Sequence, residues 1–524
     1  MAKEKFYITT SIPYLNAKPH LGFALEALQA DVIARYQRLF GADVFFLSGT
    51  DEHGAKVMKA AEAAGKSPKE FTDEFSGFFQ DLLKKLNISN DDFIRTSDQK
   101  RHWPGAQLLW KKLADSGDIY KGFYKGLYCV GHEAFITEKD MEGGVCALHK
   151  KPPEVVEEEN YFFKLSKYIN RLRGAISKEE IKIIPDYRKN ETLNMLTEIG
   201  DVSFSRPSKD ISWGVPVLGD ATQTMYVWCD ALANYITALG FGDSNFQLLI
   251  SNFHKFWPAD AHIVGKDIMK FHTIFWPAML MSAGLPLPKN IFVHGFINVK
   301  GEKMSKSLGN VIDPFPLIEK YGAEAVRFYL AHEVSAFGDS DYSDEHFSET
   351  YEGILVNGLG NLVSRVVKML GSFPEIARPD GAALARFPLK KKDLEALSAE
   401  KKFALESAHP VYAVENILWP RYRELMDSYH FGGAAGLAIS YAKKLDEYIE
   451  EYKVYKIIKT SPEDAKIMLW HLAYSLVSLA WMLKPFMPET AEKILEALGI
   501  DSNSREGWTK FSAKEVPHLF PRIK

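Results

Sequence analysis

Lys303-Met304-Ser305-Lys306-Ser307 sets two lysines three residues apart, with small hydroxyl residues beside them and Gly301 and Gly309 on either side. A mobile pair of point charges on a glycine-bounded loop is suited to gripping a triphosphate while its charge redistributes. A complementary arrangement lies near the amino terminus, where Pro19-His20-Leu21-Gly22-Phe23 opens an apolar run at helical spacing. There His20 would offer a donor beside the positive end of a helix dipole, and Gly22 would let a nucleotide lie close. Cys129-Val130-Gly131-His132 and Cys146-Ala147-Leu148-His149 form a third pattern, C-x2-H twice. Each short turn aims two ligands at one ion, so Cys129, His132, Cys146 and His149 are expected to hold one structural zinc.

The elements that must position these groups follow from periodicity. Phe6-Tyr7-Ile8-Thr9-Thr10 reads as a short buried strand and Ser11 to Asn16 as a turn. The helix after them carries Leu21, Leu25, Leu28, Val32, Tyr36 and Leu39 on one face, has Pro19 near its first turn, and stops at Gly41. Three later strands also end in polar residues: one runs into Asp51-Glu52-His53-Gly54, one into Gly265-Lys266-Asp267, and one into His294-Gly295. Four such edges, converging, would build one crevice of nucleotide size. Glu52 reads equally as a helix cap. Trp228, Ala231 or Leu232, and Tyr235 share one helical stripe, as do Ile268, Phe271, His272 and Trp276. Aromatic faces with one small residue suit an unbranched, polarizable thioether chain.

The chain has 524 residues, a net charge of −4 and three cysteines. The length allows three or four structural units. The charge argues against a general nucleic-acid coat protein, so any RNA must be held by local basic patches. The cysteine count, the lack of a signal-peptide pattern and the lack of a long uninterrupted apolar run point to a reducing cytoplasm. Met468 to Leu483 comes nearest to a span, but His471 interrupts it and it reads as a buried bundle helix. From about residue 350 the pattern is helical, with a stripe of Leu355, Leu359, Leu362, Val366 and Leu370. Residues 376–410 are rich in Pro, Ala and Lys and read as a solvated extension.

Taken together, the lysine loop and the histidine turn resemble the two signatures of class I aminoacyl-tRNA synthetases, and nearly the whole chain is similar to their methionine-specific, single-zinc-knuckle group. The resemblance implies an α/β fold: a Rossmann-like catalytic domain in two halves (1–118 and 223–300), split by a zinc-binding insertion (119–222). A connector with the lysine loop (301–349) and an α-helical anticodon-binding bundle (350–524) would follow. It implies ATP-dependent attachment of methionine to its tRNA through methionyl-adenylate, with magnesium; a monomer is expected, because no domain of the kind that dimerises some relatives follows the bundle. On this pattern His20, Lys303 and Lys306 are catalytic. Ile12, Asp51, Trp228, Ala231, Tyr235, Ile268, Phe271 and His272 bind methionine, with Asp51 on its ammonium. Tyr14, His20, Gly22, Gly265, Asp267, Gly295, Ile297 and Lys306 bind ATP. Asn361, Arg365 and Tyr455 would read anticodon bases. Phe23 departs from the usual second histidine, with Thr10 or Lys18 as substitute donors; His132 stands where a cysteine is usual, and Tyr455 where a tryptophan is. Two alternatives share parts of the pattern. A leucine, isoleucine or valine enzyme would carry a large editing insertion, and a non-catalytic tRNA-binding relative would have lost activation.

Overall fold

The computed structural model describes residues 3–129, 134–136, 140–148, 150–242, 247–304, 309–379, 410–502, 508–516 and 518–523. Two compact units result, Met1–Phe296 and Ile297–Lys524.

The first unit is organised by a parallel sheet. Its central strand β1 (Lys5–Thr10) is rich in aromatic and β-branched residues, and its last four positions are buried. It pairs in parallel with β2 (Asp43–Thr50) on one side and with Ala261–Gly265 on the other. β3 (Asp92–Arg95) extends the sheet past β2, while Asn290–His294 and then Lys182–Ile184 extend it the other way, again in parallel. The chain therefore builds outward from β1 in one direction and later returns to its other side. In such sheets the switch point opens a crevice at the carboxyl ends of the strands.

Helix α1 (Leu21–Leu39) follows β1 across a turn. His20 is its N-cap with extended backbone (φ −122°, ψ 175°), so Pro19 stands just ahead of the helix rather than in its first turn. Phe40 closes the far end, and Gly41 reverses the chain at φ +90°. Burial extends beyond the expected stripe, because Glu26, Gln29 and Asp31 are covered too. After α2 (Ala55–Ala63), helix α3 (Pro68–Lys85) begins with a Ser67–Glu70 capping box and Pro68 in its first turn. Helix α4 (Trp103–Asp115) leads to β4 (Ile119–Cys129), which pairs antiparallel with Glu154–Phe163 in a separate four-stranded sheet. Lys182–Ile184, inside the stretch read as an insertion, supplies the edge of the main sheet.

The second unit opens with Ile297–Val299, paired antiparallel with Glu302–Lys303 and parallel with Ser340–Asp341. It continues as helices, among them Asn361–Leu370, Phe431–Tyr452, Val454–Thr460 and Pro462–Leu483. Pro462–Leu483 is long and apolar enough to cross a membrane, but 83% of its apolar window is buried within the protein. It serves as a core helix, with His471 fully buried inside it. The fully buried Arg327 holds the turn that follows this helix, donating through Nε to the carbonyl of Phe486 at 2.8 Å and through Nη2 to that of Pro485 at 2.9 Å.

Candidate active site

Of the groups read from the sequence, His20, Asp51 and Gly265 stand at or just beyond the carboxyl ends of β1, β2 and Ala261–Gly265. His20 follows β1, and its Nδ1 accepts the backbone N–H of Gly22 at 3.0 Å. That bond puts the ring proton on Nε2, on an exposed imidazole at a helix start. Asp51 follows β2 and is 2% exposed; its backbone bridges to Tyr14, and its N–H donates to the carbonyl of Pro13 at 2.9 Å. The Pro13-Tyr14-Leu15 turn is thereby tied to the Asp51 loop. Gly265 ends its strand beside Asp267, whose Oδ1 would lie 2.9 Å from a Cβ there, so any side chain at this position would push the Asp267 carboxylate aside.

Two expectations resolve differently. Glu52 is no helix cap: it is fully buried and accepts from Arg95 Nε at 2.7 Å and Nη2 at 2.9 Å and from Thr50 Oγ1 at 2.7 Å. Arg95 supplies the charge that a buried carboxylate needs, which makes Glu52 structural. Phe23 is 7% exposed and packs edge-on against Phe79 of α3, ring centroids 4.9 Å apart. Its side chain is spent on helix packing.

An aromatic cavity lies beside β1. Ile12, Trp228, Ala231, Tyr235, Ile268 and His272 line it together. Trp228 stacks flat on Phe271 at 3.6 Å between ring centroids, 5° from parallel. Tyr235 and His272 form one polar unit at the wall. The carbonyl of Ile268 lies 2.9 Å from His272 Nδ1, and the Tyr235 hydroxyl lies 2.7 Å from Nε2. Burial pushes the His272 pKa down to about 4, so the ring is neutral. Nδ1–H therefore donates to Ile268, and Nε2 accepts the Tyr235 hydroxyl proton. Trp228 Nε1 is buried without a hydrogen-bond partner among the described residues.

Sequence reasoning passed over several groups that the fold brings here. Glu26, on α1, accepts from Ser11 N at 2.8 Å, Ser11 Oγ at 2.6 Å and His294 Nε2 at 3.0 Å. Asp230, fully buried between the pocket residues Trp228 and Ala231, accepts from His53 Nδ1 and His102 Nε2, both at 2.6 Å. Burial opposes its ionisation, yet the two imidazoles outweigh that and bring its pKa down to about 2. The available signal was an acid inside an apolar run.

Other predicted residues are described where they stand. Ile297 and Lys303 belong to the second unit. Lys303 sits in a two-residue strand whose carbonyl accepts from Asn310 Nδ2 at 3.3 Å, and Gly301 turns the hairpin at φ +77°. Lys306 lies outside the described residues. Cys129 and Cys146 are buried together in one small apolar cluster with Ile136, whereas His132 and His149 lie outside the described residues. Asn361 is exposed on its helix. Arg365, one turn on, is ion-paired with Asp446 at 2.5 Å and with Glu450. Tyr455 is 40% exposed.

The family described as "tRNA synthetases class I (M)" matches residues 6–145 and 137–367. The methionine–tRNA ligase of Brucella suis biovar 1 is 40% identical over 511 residues, 97% of this chain and 94% of its own. That of Bacillus subtilis is 38% identical over 543 residues, covering 99% and 78%. Among solved structures, the Mycobacterium tuberculosis methionyl-tRNA synthetase in complex with methionyl-adenylate is 35% identical with a TM-score of 0.88, covering 99% of this chain and 100% of that one.

Proposed function

This chain belongs to the class I tRNA synthetases of the methionine type, and from that premise we propose which of its residues carry each step of the reaction. It is an ATP-dependent methionine–tRNA ligase, which activates methionine as methionyl-adenylate and passes it to tRNA for translation. Ile12, Trp228, Ala231, Tyr235, Ile268, Phe271 and His272 hold the methionine side chain, and Asp51 its ammonium. The carrying observation is that six of these side chains line one cavity at the end of β1, the strand that also leads to His20. Tyr14, Gly22, Gly265, Asp267, Gly295 and Ile297 hold ATP, with magnesium on its phosphates.

In the activation step the methionine carboxylate attacks the α-phosphorus in line, and charge builds on the departing pyrophosphate. His20 Nε2–H and the start of α1 stabilise that charge, and Lys303 and Lys306 add to it in the transition state. A terminal ribose hydroxyl of the tRNA then takes the methionyl group. Asn361, Arg365 and Tyr455 read the anticodon. Residues 1–118 and 223–300 act as the catalytic domain, 119–222 as its insertion, 301–349 as the connector and 350–524 as the anticodon-binding bundle, in a cytoplasmic monomer.

Cys129, His132, Cys146 and His149 would hold one zinc, a role supported by the two thiols being buried in the same cluster. Zinc would there cross-link the insertion, taking no part in acyl transfer. The overall reading is tested by ATP–pyrophosphate exchange with each amino acid, followed by tRNA charging. Exchange should depend on methionine and be absent with leucine, isoleucine or valine. Exchange driven by one of those three instead, or methionine exchange with no charging, would overturn it.

A further inference from the structure

We propose that Asp230, His53 and His102 form a buried tether that sets methionine affinity by holding the pocket helix against the loop that carries Asp51; this rests on the pocket assignment above. Asp230 lies on Val227–Leu232, two residues after Trp228 and one before Ala231. At 100° per residue its carboxylate leaves the helix on the side away from Trp228, so it acts on substrate only through the residues beside it. It is a positioning residue.

Three separate elements meet at this one carboxylate. His53 brings the β2 loop, two residues after Asp51, through Nδ1 at 2.6 Å. His102 brings the start of α4 through Nε2 at 2.6 Å. His102 caps nothing there, and its other nitrogen is 2.8 Å from Thr237 Oγ1. Thr237 ends the short helix Asn234–Thr237, which carries Tyr235. The chain of bonds thus runs from the Asp51 loop to the helix of Trp228 and Ala231 and on to the helix of Tyr235.

A tether is needed because these helices cannot orient themselves. Val227–Leu232 has six residues and Asn234–Thr237 has four, both below the length at which a helix sustains itself. Their setting must come from tertiary contacts. Apolar packing alone tolerates sliding, whereas a carboxylate with two imidazole donors fixes direction as well as distance. His53 is itself seated between Trp103 and Trp213, with ring centroids 6.1 and 5.6 Å away. The ammonium-binding carboxylate and the thioether wall are therefore parts of one rigid frame.

The test is steady-state exchange kinetics on the full chain for Asp230→Asn, His53→Leu, His53→Gln and Thr237→Val, with Trp228→Ala as reference and a thermal midpoint for each. A misplacement on the order of 1 Å at a reacting site can cost about a hundredfold. The expected result is a methionine KM raised by roughly tenfold or more in Asp230→Asn and His53→Leu, with ATP KM within about twofold. His53→Gln, which keeps a donor, should recover most of the loss. Folded His53→Leu with unchanged methionine KM would overturn the tether. So would methionine KM, ATP KM and kcat worsening together in step with the thermal midpoint. If Asp230→Asn does not fold, the His53 pair and Thr237→Val decide it. If Trp228→Ala leaves methionine KM unchanged, the pocket assignment itself falls.

Discussion

Glu26 on α1 and His294 at the end of its strand meet at 3.0 Å, and the other nitrogen of His294 lies 2.7 Å from the carbonyl of Gly295. Both ring nitrogens face acceptors, which the imidazolium satisfies by donating twice. Burial alone would lower the His294 pKa, but the Glu26 hydrogen bond and charge, with the Gly295 carbonyl, leave it raised. Its stabilisation is therefore fully present below the ordinary histidine value of about 6.5 and is lost as pH rises through the higher folded-state value. Glu26→Gln should cost on the order of 3 kcal/mol at pH 6, and the deficit should shrink in alkaline buffer. Urea unfolding across pH checks this; a deficit that grows with pH would reverse the assignment.

Phe23 invites the opposite experiment, restoring a histidine. Because its ring is buried against Phe79, an imidazole there would lose aromatic packing and leave a polar nitrogen under cover, at about 1–3 kcal/mol. Phe23→His should lower the thermal midpoint and leave the exchange rate no higher than that of the parent chain. A rate gain would show that the position still faces the phosphates.

Lys306→Ala should reduce exchange turnover by about a hundred- to a thousandfold, the usual effect of removing one transition-state donor. Methionine affinity, followed by quenching of the pocket tryptophan Trp228, should stay within about threefold, because the loss falls on the transition state alone. A variant with undiminished turnover would take the lysine out of the mechanism.

What could be read from the chain and what could not divides along sequence distance. β1 and α1 were legible because short-range spacing reports directly on burial: Leu21, Leu25 and Leu28 are all covered as the period requires. The four sheet edges were legible because each apolar strand ends in a polar residue or a glycine. Glu26 and Asp230 were not. The histidine partner of Glu26 lies 268 residues away and its nearer partner, Ser11, 15 away, and the partners of Asp230 lie 177 and 128 residues away, so no helical or strand period marks them. Lys182–Ile184 was missed for a related reason: three residues show no strand period, and only the long-range pairing with Asn290–Phe292 makes them an edge.

Tyr455 tests the tRNA-reading assignment separately from the chemistry. It lies in the first turn of Val454–Thr460, two residues after Lys453 in the left-handed region, and is 40% exposed. An exposed phenol in a helical bundle offers a face on which a base can stack, at roughly 1–3 kcal/mol. Arg365 is differently placed, because Asp446 and Glu450 already hold its guanidinium. RNA must compete with those carboxylates for it, although partly exposed pairs cost little to open, about 1 kcal/mol or less. Tyr455→Ala should therefore raise the tRNA KM in charging by roughly ten- to a hundredfold, while methionine-dependent exchange, which needs no tRNA, keeps its rate. Arg365→Ala should show a smaller charging defect, since the parent chain must first release that side chain. Equal losses of exchange and charging in Tyr455→Ala would mean that the residue supports the fold, and would remove it from the anticodon site.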